Sequence, residues 1–425
     1  MSVYDTICII AALAVFIAMF NHRFGRFQTT IAITGWSLAI SVSLIVLSRL
    51  GLVSLHQQHE LVDMLEHIQF DDFLLKGVLG FLLFGGALNI ELPHLKDQKL
   101  EISFLALVAT LFSTFFIGGV MYFLFQKVGI PIDFIYCCLF GALISPTDPI
   151  AVLAIVKKMR APQRVSTQIE GESLFNDGVG LVLFVTLYQV AFGESTPTAW
   201  GTLELFLHEA VGGIVFGLLL GGIFHQLIKR SNDSMMRLIL TMLIPTAGYV
   251  LGEHLDVSAP LAMVAAGIII GNITRRGFEQ QESEQMSHLW ELVDEILNAI
   301  LFLLIGLIIL TFSFHYLDII AVLIAVPMVL SSRYISVKAS YLLFSRFRRY
   351  NPESVKLLTW GGLRGGLALA MAMAIPTGVQ QVHGVDIKEI LVLMTYAVVV
   401  FSIIVQGSTI TPMITKAKEW EKNGY

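Results

Sequence analysis

Charge is what this sequence has least of. Asp, Glu, Lys and Arg make up only 14% of its 425 residues, and 56% are hydrophobic. A soluble domain carries about a quarter charged residues. The net charge of −5 supplies no basic surface for nucleic acid. Cysteine is also scarce. Cys8, Cys137 and Cys138 all lie in apolar segments, none with metal-ligand spacing, and they read as small core residues. No Walker loop, zinc-ligand pattern or Ser-His arrangement is present, which argues against an enzyme and a resident cofactor. The N-terminus lacks a basic stretch and an A-x-A cleavage site, so its apolar run reads as a spanning helix rather than a signal peptide. With a mean hydropathy of +0.76, what remains is an all-α polytopic membrane protein.

A spanning helix needs about 20 mostly apolar residues. The pattern predicts thirteen, over 4–20, 29–48, 73–90, 102–125, 134–156, 165–192, 205–228, 238–251, 259–272, 290–312, 317–344, 355–375 and 390–414. The loops support this count. One set of alternate loops and the tail hold the basic residues, among them Arg23, Arg26, Lys96, Lys157, Lys158, Arg160, Arg230, Arg275, Arg276, Arg346, Arg348 and Arg349. The other set has only Lys127 and Lys388. The positive-inside rule then places the N-terminus outside and the C-terminus in the cytoplasm.

Two spans are interrupted. Ser145–Pro149 breaks helix 5 with two prolines, and Gly361–Gly366 breaks helix 12 with four glycines around Leu363 and Arg364. Proline removes a backbone donor and clashes with the preceding turn. Broken backbone at membrane depth is tolerated only where it is buried in protein or lines a cavity. The breaks lie seven helices apart, so helices 1–6 and 8–13 read as inverted repeats about a linking helix 7. Paired interruptions of this kind point to the midplane site of a secondary transporter.

The ionisable residues around these breaks carry the chemistry. Each intramembrane charge costs at least about 2.5–3.5 kcal/mol on insertion scales, so it is a functional candidate by default. Asp148 lies between Pro146 and Pro149; a simple helix cap would also explain it. On helix 6, Ser173 and Asp177 are four residues apart and share a face, with Glu172 and Asn176 on the adjacent one. A bare alkali cation takes hard oxygen ligands. Asp177, Asp148, Ser173 and the freed Thr147 carbonyl offer that set. The bland alternatives are a satisfied buried carboxyl at Asp177 and small-residue packing at Ser173. A carboxylate that holds either a proton or a cation, but not both, is sufficient for exchange if only the occupied forms reorient. Arg364 needs a buried anion, and Glu172 is the expected partner. Arg333 and Glu253 read as helix-end or interface charges.

The segments GALISPTDPIAVLAI, EGESLFNDGVGLVLF and WGGLRGGLALAMAMAIP resemble the signature stretches of the monovalent cation:proton antiporter-1 family. That family includes bacterial NhaP-type sodium/proton antiporters. The resemblance implies a NapA-like antiporter fold in a homodimer, in a bacterial inner membrane. It implies dimer-domain helices 1–3 (1–100) and 8–10 (233–313), core-domain helices 4–6 (101–193) and 11–13 (315–414), a linking helix 7 (204–230) and a short cytoplasmic tail (415–425). It implies elevator-like movement and electroneutral exchange of one Na⁺ or Li⁺, or K⁺, for one H⁺. It carries ion and proton binding onto Thr147, Asp148, Ser173 and Asp177, and structural support onto Asn176, Glu172 and Arg364. One departure is Phe84-Gly85-Gly86, where some members carry an acid; Asn89 and Glu91 are distant substitutes. The competing readings are a cation channel, another ion-coupled solute carrier and an intramembrane aspartyl enzyme. The paired breaks and acid-rich site favour alternating access of a cation.

Overall fold

The computed structural model describes residues 3–24, 28–52, 62, 65, 69–161, 163–193, 198–312, 314–346, 351 and 353–422. The basic residues Arg26, Arg348 and Arg349 lie outside these. Among the described residues helices occupy all thirteen predicted positions. They are α1 (Val3–Phe24), α2 (Thr29–Arg49), α3 (70–88), α4 (Lys99–Lys127), α5a (Phe134–Ile144) with α5b (Ile150–Lys158), α6 (Gln163–Phe192) and α7 (Ala199–Arg230). Then follow α8 (Ser234–His254), α9 (259–274), α10 (Gln280–Thr311), α11 (Tyr316–Phe344), α12a (Glu353–Gly361) with α12b (Gly366–Met373), and α13 (Ile387–Thr409). Among the described residues, eight helical stretches are long and apolar enough, by length and composition, to cross a membrane.

Several helices outrun their apolar runs because polar caps extend them. Thr198 accepts from the Gly201 N–H at the start of α7 (3.1 Å), and Ser258 accepts from the Leu261 N–H at the start of α9 (3.4 Å). Glu279 and Glu282 form a capping box that starts α10 ten residues before its predicted boundary. The tail departs from expectation. Helix 13 was expected to run to Ile414, but α13 stops at Thr409 and a further helix, α14 (Thr411–Lys422), follows. Pro412 at its second residue favours a fresh first turn over continuation. α14 packs on α12a, and Lys418 Nζ donates to the Met159 carbonyl (2.6 Å).

Glycine sets the closest helix approaches. Gly213, Gly217 and Gly221 lie on one face of α7 and press against Ser258, Ala262 and Ala266 of α9. Lipid tails are as apolar as leucine, so close backbone packing replaces the hydrophobic drive between spanning helices. Gly118 and Gly141 do the same between α4 and α5a, and Gly306 of α10 lies on Ser37 of α2. A two-stranded hairpin, β1 (Gln381–Val382) and β2 (Val385–Asp386), joins α12b to α13.

Gly217→Val has no space against the Ala262 backbone and should cost about 1–3 kcal/mol through overpacking. Nothing lies within 4 Å of a Cβ at Gly222, so Gly222→Ala should be neutral or stabilising. Thermal unfolding of the detergent-purified variants checks both.

Candidate functional site

The two breaks meet. α5a ends at Ile144 and α5b begins at Ile150; α12a ends at Gly361 and α12b begins at Gly366. Between them the Asp148 N–H donates to the Leu363 carbonyl (2.9 Å). Arg364, 2% exposed, donates from Nη1 to the Pro146 carbonyl (3.1 Å). Each break thereby satisfies a backbone group of the other.

α6 supplies the third wall. Ser173 Oγ donates to the Thr147 carbonyl. Asn176 holds the same residue from both ends of its amide. Its Oδ1 accepts from the Thr147 N–H (3.2 Å), and its Nδ2 donates to Thr147 Oγ1 (2.9 Å). Two proposed ligand oxygens, Ser173 Oγ and Thr147 O, are therefore in contact.

Asp148 combines both readings of its sequence position. Oδ1 accepts from the Ile150 N–H (2.9 Å), capping the first turn of α5b. Oδ2 lies where a Cβ on residue 365 would be, so only glycine admits this carboxylate next to the start of α12b. Two helix N-termini thus face one anion, the favourable polarity for a macrodipole. Asp177 is half-buried and lies within electrostatic reach of Asp148 and Arg364.

One pairing departs from expectation. Glu172 does not pair with Arg364; its carboxylate takes a bidentate pair from Arg333 of α11, with Nη2 to Oε2 at 2.9 Å and Nη1 to Oε1. Arg333 also donates from Nη2 to the Leu358 carbonyl (3.1 Å), one of the last-turn acceptors of α12a that the break leaves unpaired. Gly362 makes room, since a Cβ there would sit 2.5 Å from Arg333 Nε. Arg364 instead has Pro146 O, and its buried Nε has no hydrogen-bond partner among the described residues. The expectation rested on the need of the break arginine for a buried anion, whereas Arg333 reaches Glu172 from α11, which packs on α12a. Gln406, carried on a π-helical turn of α13, donates to the Trp360 carbonyl (2.9 Å) and completes the α12a terminus.

A cavity of about 890 Å³ reaches this site. Asp148, Ser173 and Asp177 line it, and it extends to Gln28, Lys157 and Arg275, at or next to loops of the basic set. Phe70 and Leu74 of α3 are buried, and this part of α3 packs on α12b. Glu253 is exposed in the last turn of α8. Asn89 and Glu91 line the cavity, but the Asn89 amide returns to Gly85 of its own helix (3.3 Å) and Glu91 is exposed beside His94 (3.2 Å). Sequence reasoning missed Asp294 and Asn298 of α10, which also line the cavity. A signal was present, because Asp294 falls inside the predicted 290–312 span, where a charge is expensive.

The profile of the sodium/hydrogen exchanger transmembrane family matches residues 11–416. The chain belongs to that family. It is 40% identical to the Na⁺/H⁺ antiporter NhaP of Pseudomonas aeruginosa, over 97% of this chain and 96% of that one. It is 33% identical to the Na⁺/H⁺ antiporter NhaH of Halobacillus aidingensis, over 80% and 81%. The structure of the sodium proton antiporter MjNhaP1 from Methanocaldococcus jannaschii superposes with a TM-score of 0.76 at 18% identity, covering 98% of each chain. The chain thus has the fold of that solved antiporter, and it is a multi-pass membrane protein.

Breaking a buried ion pair by removing one partner costs about 3–5 kcal/mol. Glu172→Gln and Arg333→Gln should each lower the thermal midpoint sharply, and the double variant should lose less than their sum. Coupling of about 0.5–3 kcal/mol is expected for this pair, with near-additivity for Glu172→Gln combined with Arg364→Gln. The reverse pattern in thermal unfolding assigns the anion to Arg364.

Proposed function

We propose that this protein exchanges Na⁺ or Li⁺ for H⁺ across a bacterial inner membrane, with Asp177 as the group for which cation and proton compete. The observation that carries this reading is the convergence of Asp177, Asp148, Ser173 Oγ and the Thr147 carbonyl at the crossing of two broken helices, at the end of a cavity reaching one face. The names of NhaP, NhaH and MjNhaP1 as sodium/proton antiporters support it. The cation is cargo, so the reading needs no resident cofactor.

The site holds two carboxylates and one unpaired guanidinium edge. A cation on Asp177 and Asp148 displaces the proton, and protonation of Asp177 removes the charge that holds the cation. Asn176 is neutral and gives its amide to Thr147. It therefore contributes no second exchangeable proton on helix 6, which favours one cation for one proton.

Close contacts within two groups of helices support alternating access. The crossing and the Glu172–Arg333 pair tie α5, α6, α11 and α12 into one body. Glycine contacts tie α2 to α10, α7 to α9, and α9 to α3. In this reading helices 4–6 and 11–13 slide as a core against helices 1–3 and 8–10, which form the dimer surface, in an elevator-like step. In this reading the cavity opens to the cytoplasm and the N-terminus lies outside, which the distribution of basic residues among the loops supports.

The test is purified protein in liposomes with an internal pH dye. Na⁺ or Li⁺ added outside should shift internal pH in proportion to the imposed gradient, with no dependence on a clamped membrane potential. Asp177→Asn should abolish the response. Cation conductance without counter-movement of protons, or full exchange by Asp177→Asn, overturns the reading.

A further inference from the structure

The cavity wall opposite the site has a feature that the exchange reaction as described leaves unused. α10 and α2 run alongside each other in a defined register. Thr34 Oγ1 donates to the Phe302 carbonyl (3.3 Å), and Ser41 Oγ donates to the Gly306 carbonyl (3.0 Å). One turn earlier on each helix are Thr30 and Asn298, both lining the cavity. Asn298 is 3% exposed and Thr30 8% exposed. Asn298 lies four residues after Asp294 on the same face of α10, and both line the cavity. Asn298 Oδ1 is buried and has no hydrogen-bond partner among the described residues; the same holds for Thr30 Oγ1 and Gln28 Oε1.

Buried polar atoms are nearly always bonded, and each exception needs a cause. Three orphaned oxygens and the Asp294 carboxylate, near the starts of two packed stretches of α2 and α10, form a set of hard acceptors, with the exposed Glu291 and Glu295 adding negative charge along the same cavity. That mostly neutral oxygen set suits a partly hydrated alkali cation. Among the described residues no three carboxylates, histidines or cysteines group as a metal site, which argues against a divalent ion. Lys157 is the nearby basic group; its Nζ is held by Glu170 (3.3 Å) on the other wall. Asp294 and Asp148 line the same cavity, so one continuous space joins the two positions.

We propose that Asp294, Asn298, Thr30 and Gln28 form a second, weaker alkali-cation site on the α2–α10 wall, from which the ion passes to Asp148 and Asp177. This rests on the antiporter reading above and adds to it a fixed station outside the sliding core.

The test is equilibrium binding of ²²Na⁺ to the purified full-length protein. Wild type should show a tight and a weak component. Asp177→Asn should remove the tight one and keep the weak one. Asp294→Asn should remove the weak one, and the isosteric Thr30→Val should weaken it at least about 5-fold, the equivalent of roughly 1 kcal/mol. In liposomes, Asp294→Asn should raise the apparent KM for Na⁺ supplied at the cavity face more than at the opposite face, with Asp294→Glu partly restoring the ratio. If Asp294→Asn does not fold, Thr30→Val and Asn298→Ala carry the same test. A single binding component in wild type, a weak component indifferent to Asp294 and Thr30, or joint loss of both components overturns the proposal. Failure of the antiporter reading shows separately, as absence of Na⁺-dependent proton movement by wild type.

Discussion

The fold depends on a debt of backbone hydrogen bonds. Two helices stop in mid-membrane, and each stop exposes N–H and C=O groups where no lipid can serve them. The structure settles this by crossing the two breaks. The Asp148 N–H bonds to Leu363 O, Arg364 bonds to Pro146 O, and α6 fixes Thr147 through Ser173 and Asn176. Arg333 and Gln406 close the end of α12a. The same partners that make interrupted backbone tolerable also place acids and carbonyls at one point. Stability and ion chemistry share one set of contacts there.

Polarity is sorted with equal economy. The anionic Asp148 faces two helix N-termini, and cationic Arg333 meets a helix C-terminus. Arg364 remains with an unsatisfied Nε, within electrostatic reach of Asp177.

Much of this was legible before any coordinates. Both breaks are written in proline and glycine, whose backbone effects are local, so their edges at Ile144, Ile150, Gly361 and Gly366 could be anticipated closely. Membrane thickness set the spans, and loop charge checked their number. Two kinds of information were not local. A long arginine finds its partner by helix crossing, so Glu172 went to Arg333 rather than to Arg364. The register of α2 against α10 depends on Gly306 admitting Ser37, and nothing near Thr30 announces that it ends up beside Asn298. Helix ends also exceeded their apolar runs, because caps and capping boxes obey short-range rules that a hydropathy window ignores.

The amide of Asn176 has a consequence for how such a carrier can change over evolution. Its Nδ2 is the donor that holds Thr147 Oγ1, and its Oδ1 receives the Thr147 N–H. An aspartate in its place would add a titrating group and lose that donor at the same time. Altering the ion-to-proton ratio would therefore mean re-anchoring the unwound backbone as well. Energetic currency and scaffold geometry are written in one side chain, and neither can drift alone.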